Sequence, residues 1–172
     1  MAQPPVDKKT DRFLDKQALK AALLQSLDDE INVALQSATT AHGTASDANN
    51  KPENKYDTLA LEAAYLAHGQ SERILGLQQM RIQVAKWPVP ELSDNDSIRL
   101  GACVEVIAED DTKQRVFIAP VGGKKIQIEG QSILVISSET PLAKSLLGKS
   151  LGDEVSLTLG GKAQYWEVLR LG

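Results

Sequence analysis

The sequence predicts an α+β protein, with an N-terminal antiparallel helical hairpin (a coiled coil) followed by a C-terminal antiparallel β domain with one short helix. Apolar residues recur every three or four positions in the first half, and they alternate with polar residues after a proline-containing segment. Aromatic residues are only 4% of the chain, as a hairpin packed with Leu, Ile and Ala would produce. We therefore predict a flexible tail over 1–10, a hairpin over 11–86 with its tip at about 42–57, a linker over 87–96 and the β domain over 97–172.

The first helix is predicted to begin at Asp11, with Thr10 as its cap and the Asp11 carboxylate near the positive end of the helix dipole. No glycine or proline interrupts it before Gly43, so a helix of about 30 residues would be ~45 Å long. Its predicted buried stripe consists of residues spaced by three or four positions, namely Leu14, Ala18, Ala21, Leu24, Leu27, Ile31, Leu35 and Ala38.

A polar connection over 41–57 contains Gly43 and Pro52 and shows no periodicity, which is typical of a loop. A second helical stripe follows it, formed by Leu59, Ala63, Leu66, Gln70, Ile74, Leu77, Arg81 and Val84. Two stripes of similar length on either side of one connection predict that the helices pair antiparallel.

The segment 87–96 ends the second helix, since its two prolines disfavour helical backbone before them. Alternating apolar residues then predict strands, with turns at 109–112, 121–123, 129–130 and 160–161. The single helix of this half is predicted over 141–147, because proline suits its first turn and Gly148 suits its C-terminal cap.

The bulk composition is that of an ordinary globular chain, with 172 residues, 42% apolar and 24% charged. A net charge of −4 does not favour direct binding to duplex DNA. The one cysteine, Cys103, excludes an intramolecular disulfide, and we interpret it as a small buried apolar residue. No apolar run approaches the ~20 residues of a membrane span, and the N-terminus lacks a signal-peptide core, so we expect a cytoplasmic protein.

The most specific part of the sequence is 135–149, read as strand, turn and helix, with 101–106 before it and 152–155 and 165–169 after it. In order and spacing these segments resemble the C-terminal domain of the Gre-type (GreA/GreB-like) bacterial transcript cleavage and elongation factors. The resemblance implies an FKBP-like fold and a turn that docks on the rim of the RNA polymerase secondary channel. That turn corresponds here to Glu139, Thr140, Pro141 and Leu142. The alternative is that Thr140 and Pro141 only cap a helix.

The predicted hairpin tip is similar to the tip motif of the same family, but it differs at one position. Glu53 and Asn54 match the Glu-Asn of that motif, while the family's aspartate falls on Asn50. Asp47 and Asp57 are nearby acids that could replace it, although Asp57 also suits a helix cap. Three further tip residues are candidates for contact with RNA, through phosphate for the lysines and stacking for the tyrosine: Lys51, Lys55 and Tyr56.

The resemblance implies an accessory factor without a complete active site or cofactor of its own. Its tip acids would assist the Mg²⁺ of RNA polymerase in cleaving backtracked RNA, since a weakly held second metal needs carboxylate oxygens. Two outcomes stay open. Either Glu53 works with Asp47 or Asp57 and cleavage is stimulated, or the acid pair is incomplete and the protein occupies the channel as an inhibitor or modulator. The implied partners are RNA polymerase and, indirectly, nascent RNA, for a protein that we expect to be monomeric.

Two other functions are compatible with the predicted elements. An FKBP-like peptidyl-prolyl isomerase or chaperone would need an aromatic pocket, for which this half offers only Phe117, Tyr165 and Trp166. Tyr165 and Trp166 are adjacent in one predicted strand and therefore face opposite sides. An oligomeric coiled-coil protein would explain the helices and leave the C-terminal pattern unexplained.

Overall fold

The computed structural model describes the backbone of residues 13–46 and 59–172 and the side chains of residues 13–40 and 68–172. It confirms the α+β class, with two long helices followed by a six-stranded sheet and one short helix. The chain forms two compact units. The helical unit is Leu24–Lys86, and the β unit is Trp87–Gly172 together with the chain up to Leu23. In the part of the chain that is described, no helix combines the length and apolar character needed to cross a membrane.

Helix α1 spans Lys16–Ser46 and begins later than the sequence suggested. The Asp15 carboxylate accepts hydrogen bonds from the backbone N–H groups of Gln17, at 2.9 Å, and Ala18, at 3.4 Å, which is the geometry of an N-cap. The predicted start at Asp11 with a Thr10 cap is therefore wrong, because Phe13 and Leu14 form a bend before the helix. Both Thr10 and Asp11 lie outside the described residues.

The buried stripe of α1 is offset by one position from the predicted one along much of its length. The residues that are at least nine-tenths buried are Lys16, Leu19, Leu23, Leu27, Ile31 and Ala34. The prediction was right at Leu27 and Ile31, but Ala21 is exposed and Leu35 is 43% exposed. Neighbouring apolar pairs, such as Leu23 and Leu24, satisfy the helical period equally well, so periodicity alone does not fix which member faces inward.

Helix α2 spans Leu59–Lys86, as predicted, and buries Leu77 and Val84. The Arg81 guanidinium donates to the Asp28 carboxylate, which joins α2 to α1 inside the helical unit. These two residues lie at similar distances along the chain from the connection, as antiparallel helices require. Helix α1 continues through Gly43 to Ser46, so the predicted tip begins inside the helix. The rest of the connection, 47–58, lies outside the described residues.

The β unit contains six strands and the short helix α3, with the bounds β1 Cys103–Ala108, β2 Lys113–Ala119, β3 Lys124–Ile128, β4 Gln131–Ser137, α3 Pro141–Leu146, β5 Glu154–Leu159 and β6 Lys162–Leu171. Their order in the sheet is β3-β4-β2-β1-β6-β5. One pair, β2 with β4, is parallel, where the sequence suggested antiparallel strands throughout. The chain leaves β2, forms β3 at the edge and returns as β4 between them, so β4 runs in the direction of β2.

One face of the sheet packs against α3 and carries the main hydrophobic core. Its fully or nearly buried members are Ile98, Ala102, Val104, Val106, Val116, Ile118, Ile136, Ala143, Leu146, Val155, Val168 and Leu171. Each buried Val, Leu or Ile side chain among them contributes about 1.5–3 kcal/mol of burial free energy. This layer fixes α3, and with it the turn before α3, on the sheet.

The opposite face of the sheet is also buried. Phe117 lies opposite Cys103 on β1 and Val135 on β4, and all three side chains have no exposed surface. The Trp87 ring packs on the Phe117 ring, with 5.8 Å between centroids. The Lys20 ammonium, in the first turns of α1, donates to the Trp87 carbonyl at 2.8 Å. The start of α1 and the linker therefore cover this face.

Candidate functional site

The turn before α3 is held by a network centred on Thr140. Its backbone is extended, with φ −68° and ψ 149°, and its Oγ1 accepts from the Ala143 N–H at 3.2 Å. The same hydroxyl donates to the Ser137 carbonyl at 3.0 Å, and the Thr140 N–H reaches that carbonyl at 3.3 Å. Thr140 is thus the N-cap of α3, and it also ties the cap to the end of β4.

The three residues beside Thr140 differ in what they present to solvent. Pro141 is exposed at the first helical position, where its missing N–H costs nothing. Glu139 is exposed, and its carboxylate lies 3.4 Å from the Lys144 ammonium. Leu142 packs against the main core. The turn therefore presents a proline ring and a carboxylate outward from a backbone that is anchored underneath.

The far end of α3 is anchored as well, which keeps the whole turn-and-helix segment rigid. The helix ends at Leu146, one residue before the predicted end, and Leu147 is its C-cap. Gly148 follows at φ +83°, a left-handed conformation that glycine adopts without strain. Its N–H donates to the Ile98 carbonyl at 2.8 Å, and the Ile98 N–H donates to the Lys149 carbonyl at 2.7 Å.

The other predicted site, the hairpin tip, lies outside the described residues. This applies to the acids Asp47, Glu53 and Asp57, to Asn50, and to the RNA-contact candidates Lys51, Lys55 and Tyr56. Their roles stay predictions. Of the residues predicted to bind a partner, all four lie in the described turn, where the capping geometry accounts for Thr140 and Pro141 without any partner.

A buried lysine was missed by the sequence analysis. Lys16 is 2% exposed, donates from its ammonium to the Gly101 carbonyl and lies 5.9 Å from the centroid of the Phe117 ring. Burial lowers the pKa of this amine from 10.5 to about 8. Burial also raises the pKa of the neighbouring Cys103 thiol to about 12, so Cys103 is an inert buried residue, as predicted. A lone lysine before an apolar stripe carries no signal of burial.

A second missed feature crosses three strands. The Arg115 guanidinium donates to the Glu105 carboxylate at 2.7 Å, with both side chains largely buried. Glu105 lies opposite Arg115 on β2 and Arg170 on β6. The Phe13 ring contacts both guanidinium groups, at 5.3 Å for Arg115 and 4.4 Å for Arg170. Phe13 thus anchors the segment before α1 to the sheet.

The rings required by the isomerase alternative do not form one pocket. Tyr165 and Trp166 border a cavity of about 270 Å³ with the turn after β1. Phe117 is fully buried against Trp87 and does not line that cavity. The described β unit therefore gives no support to proline recognition by these three rings.

Comparison with known proteins identifies the β unit. Residues 93–171 match the model for the C-terminal domain of the transcription elongation factors GreA and GreB. The transcription elongation factor GreA of Chelativorans sp. is 31% identical over 131 residues, which cover 76% of this chain and 74% of that protein. GreA of Acidiphilium cryptum is 37% identical over 97 residues, 56% of this chain and 59% of that protein.

Among solved structures, the GreA factor homolog 1 (Gfh1) of Thermus thermophilus is 19% identical, with coverage of 87% of this chain and 94% of that one and a TM-score of 0.37. The GreA/GreB factor of Nitrosomonas europaea is 17% identical, with coverage of 64% and 91% and a TM-score of 0.34. At these scores the structural likeness supports no inference.

The β unit with its capped turn thus places the chain among the transcription factors that carry a GreA/GreB-type C-terminal domain. The extent of the match to GreA of Chelativorans sp. shows that this chain belongs to the GreA/GreB family of transcription elongation factors.

Proposed function

We propose that this elongation factor binds RNA polymerase through the turn before α3 and inserts its hairpin tip into the secondary channel. The observation that supports this most is the rigid turn at Glu139 and Pro141, which lies inside the segment matched to the GreA/GreB C-terminal domain. A turn that is anchored at both ends loses little conformational freedom on binding, so more of its contact energy contributes to affinity. The proposed setting is the bacterial cytoplasm.

The proposed activity is to stimulate cleavage of backtracked RNA at the magnesium site of the polymerase. Glu53, with Asp47 or Asp57, would offer carboxylate oxygens to a metal that the polymerase holds, and would supply no complete active site. Lys51 and Lys55 would contact RNA phosphates and Tyr56 would stack on a base. Two acids would support cleavage better than one, because the negative charge of two carboxylates holds the metal ion more tightly at the phosphodiester.

A second candidate function is a channel-binding inhibitor or modulator that does not stimulate cleavage. Asn50 favours it, because an amide at the family's aspartate position has no charge to offset that of a metal ion. In this case the factor would occupy the secondary channel and leave the second metal ion of the polymerase incompletely ligated.

Binding is tested with core RNA polymerase and variants of exposed turn residues. We expect Glu139→Lys and Pro141→Glu to weaken binding at least about tenfold, a loss of about 1.4 kcal/mol. Both side chains are exposed, so the urea midpoint of the free protein should change little. The control is Gln127→Lys, an exposed change on edge strand β3. Equal binding by the turn variants and the wild type contradicts the docking role, and no binding by the wild type contradicts the whole proposal.

Cleavage is tested with purified backtracked complexes at a defined magnesium concentration. If the factor stimulates cleavage, Glu53→Ala should abolish the stimulation and Asn50→Asp should raise it. If it is an inhibitor, the wild type should slow cleavage or elongation and Asn50→Asp should convert it towards stimulation. Cleavage identical to that of polymerase alone with the wild type and both variants excludes the stimulating function.

A further inference from the structure

The two edges of the sheet differ in how they are protected against pairing with another strand. Strand β3, at one edge, is five residues long and begins with Lys124 and Lys125. Strand β5, at the other edge, reads Glu154-Val-Ser-Leu-Thr-Leu159 and contains neither lysine nor proline. Lysine and proline are usual protections of an edge strand, and the two strands differ by only one residue in length, so β5 is the less protected edge.

The outer half of the β5–β6 hairpin is also poorly covered by the rest of the β unit. Strand β6 pairs with β1 only from Trp166 onward, and among the described strands its first residues, Lys162–Tyr165, pair with β5 alone. Leu159 on β5 is 48% exposed, and Tyr165 on β6 is 42% exposed. An exposed apolar residue on an unpaired edge favours the addition of a further strand.

We propose that β5 pairs antiparallel with β5 of a second copy of this chain, with Leu157 of each copy at the two-fold axis. In this register Leu159 lies opposite Val155 of the other copy, on the same face of the sheet as the Leu157 pair. Ser156 lies opposite Thr158 on the other face, so hydroxyl groups meet hydroxyl groups. Glu154 lies opposite Gly160, so no like charges oppose each other across the new pair. The sequence of β5 is therefore complementary to itself in one register.

The contact closes on itself and is small. An antiparallel pair related by a two-fold axis uses the β5 edge of both copies, and the lysines of β3 disfavour growth at the remaining edges. One pair of six-residue strands buries much less than the ~1,600 Å² of a standard stable interface. The dimer is therefore weak, and the monomer expected from the sequence is the state at low concentration.

The test is sedimentation of the full chain over a concentration series. We expect the mass to rise from that of the 18.6 kDa monomer towards twice that value as concentration increases. Leu159→Lys adds a charge at an exposed edge position and should weaken association at least about tenfold, because a lysine on an edge strand disfavours the addition of another strand. Gln127→Lys places the same charge on exposed β3 and should leave association unchanged.

A cross-linking experiment tests the register. In a Cys103→Ser background, Leu157→Cys should form a disulfide-linked dimer on mild oxidation, since residues facing across the axis lie within the ~7 Å limit between Cα atoms. Leu159→Cys is the matched control, because the two copies of that residue lie about four residues apart along the strands. Circular dichroism of both variants confirms that the sheet is intact.

Three results overturn the proposal. The first is a monomer at every concentration, which would leave the β5 edge to a strand of another protein. The second is association that Leu159→Lys and Gln127→Lys affect equally. The third is cross-linking at residue 159 as fast as at residue 157. None of these measurements uses RNA polymerase, so their outcome is independent of the proposed function.

Discussion

The β unit and the helical unit are stabilised in different ways. The β unit buries both faces of its sheet, one under α3 and the other under the start of α1 and the linker. In the part of the helical unit whose side chains are described, five residues are at least nine-tenths buried, namely Leu27, Ile31, Ala34, Leu77 and Val84. The apolar residues Val33, Leu75 and Ile82 of the same unit are more than half exposed.

The difference in burial indicates that the β unit is the more stable of the two units. A helix pair with a thin core has modest stability, because most helical stability in proteins comes from burial of an apolar face. The β unit carries the anchored turn at Thr140, while the predicted tip acids belong to the helical half. The proposed docking surface is thus built on the stable unit, and the predicted chemistry on the marginal one.

The largest expected effect is that of Phe117→Ala in the β unit. Phe117 is fully buried against Trp87, so its truncation should cost about 3–5 kcal/mol of the free energy of unfolding. Both tryptophans, Trp87 and Trp166, lie in the β unit, so their fluorescence during urea unfolding reports this unit. Tyr165→Ala, at a position 42% exposed, is the control and should change the midpoint little. A small shift for Phe117→Ala would show that this face of the sheet is not a core.

The corresponding change in the helical unit is Leu77→Ala, at a position 6% exposed. We expect a loss of about 2 kcal/mol, the lower end for such truncations, because a core of only two helices can relax to fill part of the cavity. Helical circular dichroism should be lost at lower urea concentration than tryptophan fluorescence. Coincident transitions in this variant would contradict the view that the two units differ in stability.

The third effect is a pH dependence caused by buried Lys16 and Cys103. The folded pKa of Lys16, about 8, is below its ordinary 10.5, so above pH 8 the unfolded chain binds more protons and stability rises with pH. The folded pKa of Cys103, about 12, is above its ordinary 9.0, so its contribution is lost as pH rises from 9 to 12. A net gain of about 1 kcal/mol is therefore expected between pH 8 and pH 9, with little further change up to about 10.5.

Lys16→Met tests this assignment by urea unfolding at several pH values. The variant should lose the gain between pH 8 and pH 9 and should keep only the fall above pH 9 that Cys103 causes. Lys20→Met is the control. Lys20 is only half-buried, so this variant should keep the rise in stability between pH 8 and pH 9. Two results would contradict the lowered pKa of Lys16. They are a wild-type free energy of unfolding that is constant from pH 8 to 9, and a Lys16→Met free energy of unfolding that still rises over that range.

The smallest effect is expected for the Asp28–Arg81 ion pair of the helical unit. Its side chains are 37% and 41% exposed, and exposed pairs contribute little. The hydrogen bond from Arg81 lowers the pKa of the Asp28 carboxyl, so the pair is charged at neutral pH, and its contribution disappears as pH falls through that lowered pKa. A double-mutant cycle of Asp28→Asn and Arg81→Gln should give a small coupling that vanishes at about 1 M salt. A large, salt-independent coupling would mean that the helix pair is more tightly packed than its exposure indicates.

Much of the fold could be predicted from the sequence, because proline, glycine and periodicity mark the boundaries of elements. The start of α2 at Leu59, the turn at Glu129 and Gly130 and the Thr140 cap follow from such local rules. The parallel pairing of β2 with β4 does not, since alternation looks the same in both directions. The phase of the α1 stripe was also ambiguous, because the side chains that cover its neighbours come from distant parts of the chain.

The candidate site was predictable in its backbone and not in its surroundings. A threonine followed by a proline predicts a helix N-cap from local sequence, as Thr140 and Pro141 do here, and the resemblance to Gre factors points to the same turn. The contacts of Lys16 and Phe13 depend on residues about 100 positions away, such as Gly101 and Arg115, and no local rule connects them. Among the tip acids, Glu53 is predicted from its match to the family motif, and Asp47 and Asp57 only from their nearness to it.

Because Cys103 is completely buried, its reaction with a thiol reagent can report local opening of the native β unit. This residue is the only sulfhydryl in the sequence, and it has no exposed surface in the middle of the sheet. The thiol lies on the face that the start of α1 and the linker cover, so a thiol-specific reagent can modify the native protein only when this cover lifts or the sheet opens locally. The modification rate therefore measures how often such openings occur. The same shielding preserves the side chain from air oxidation during storage, without any added reductant.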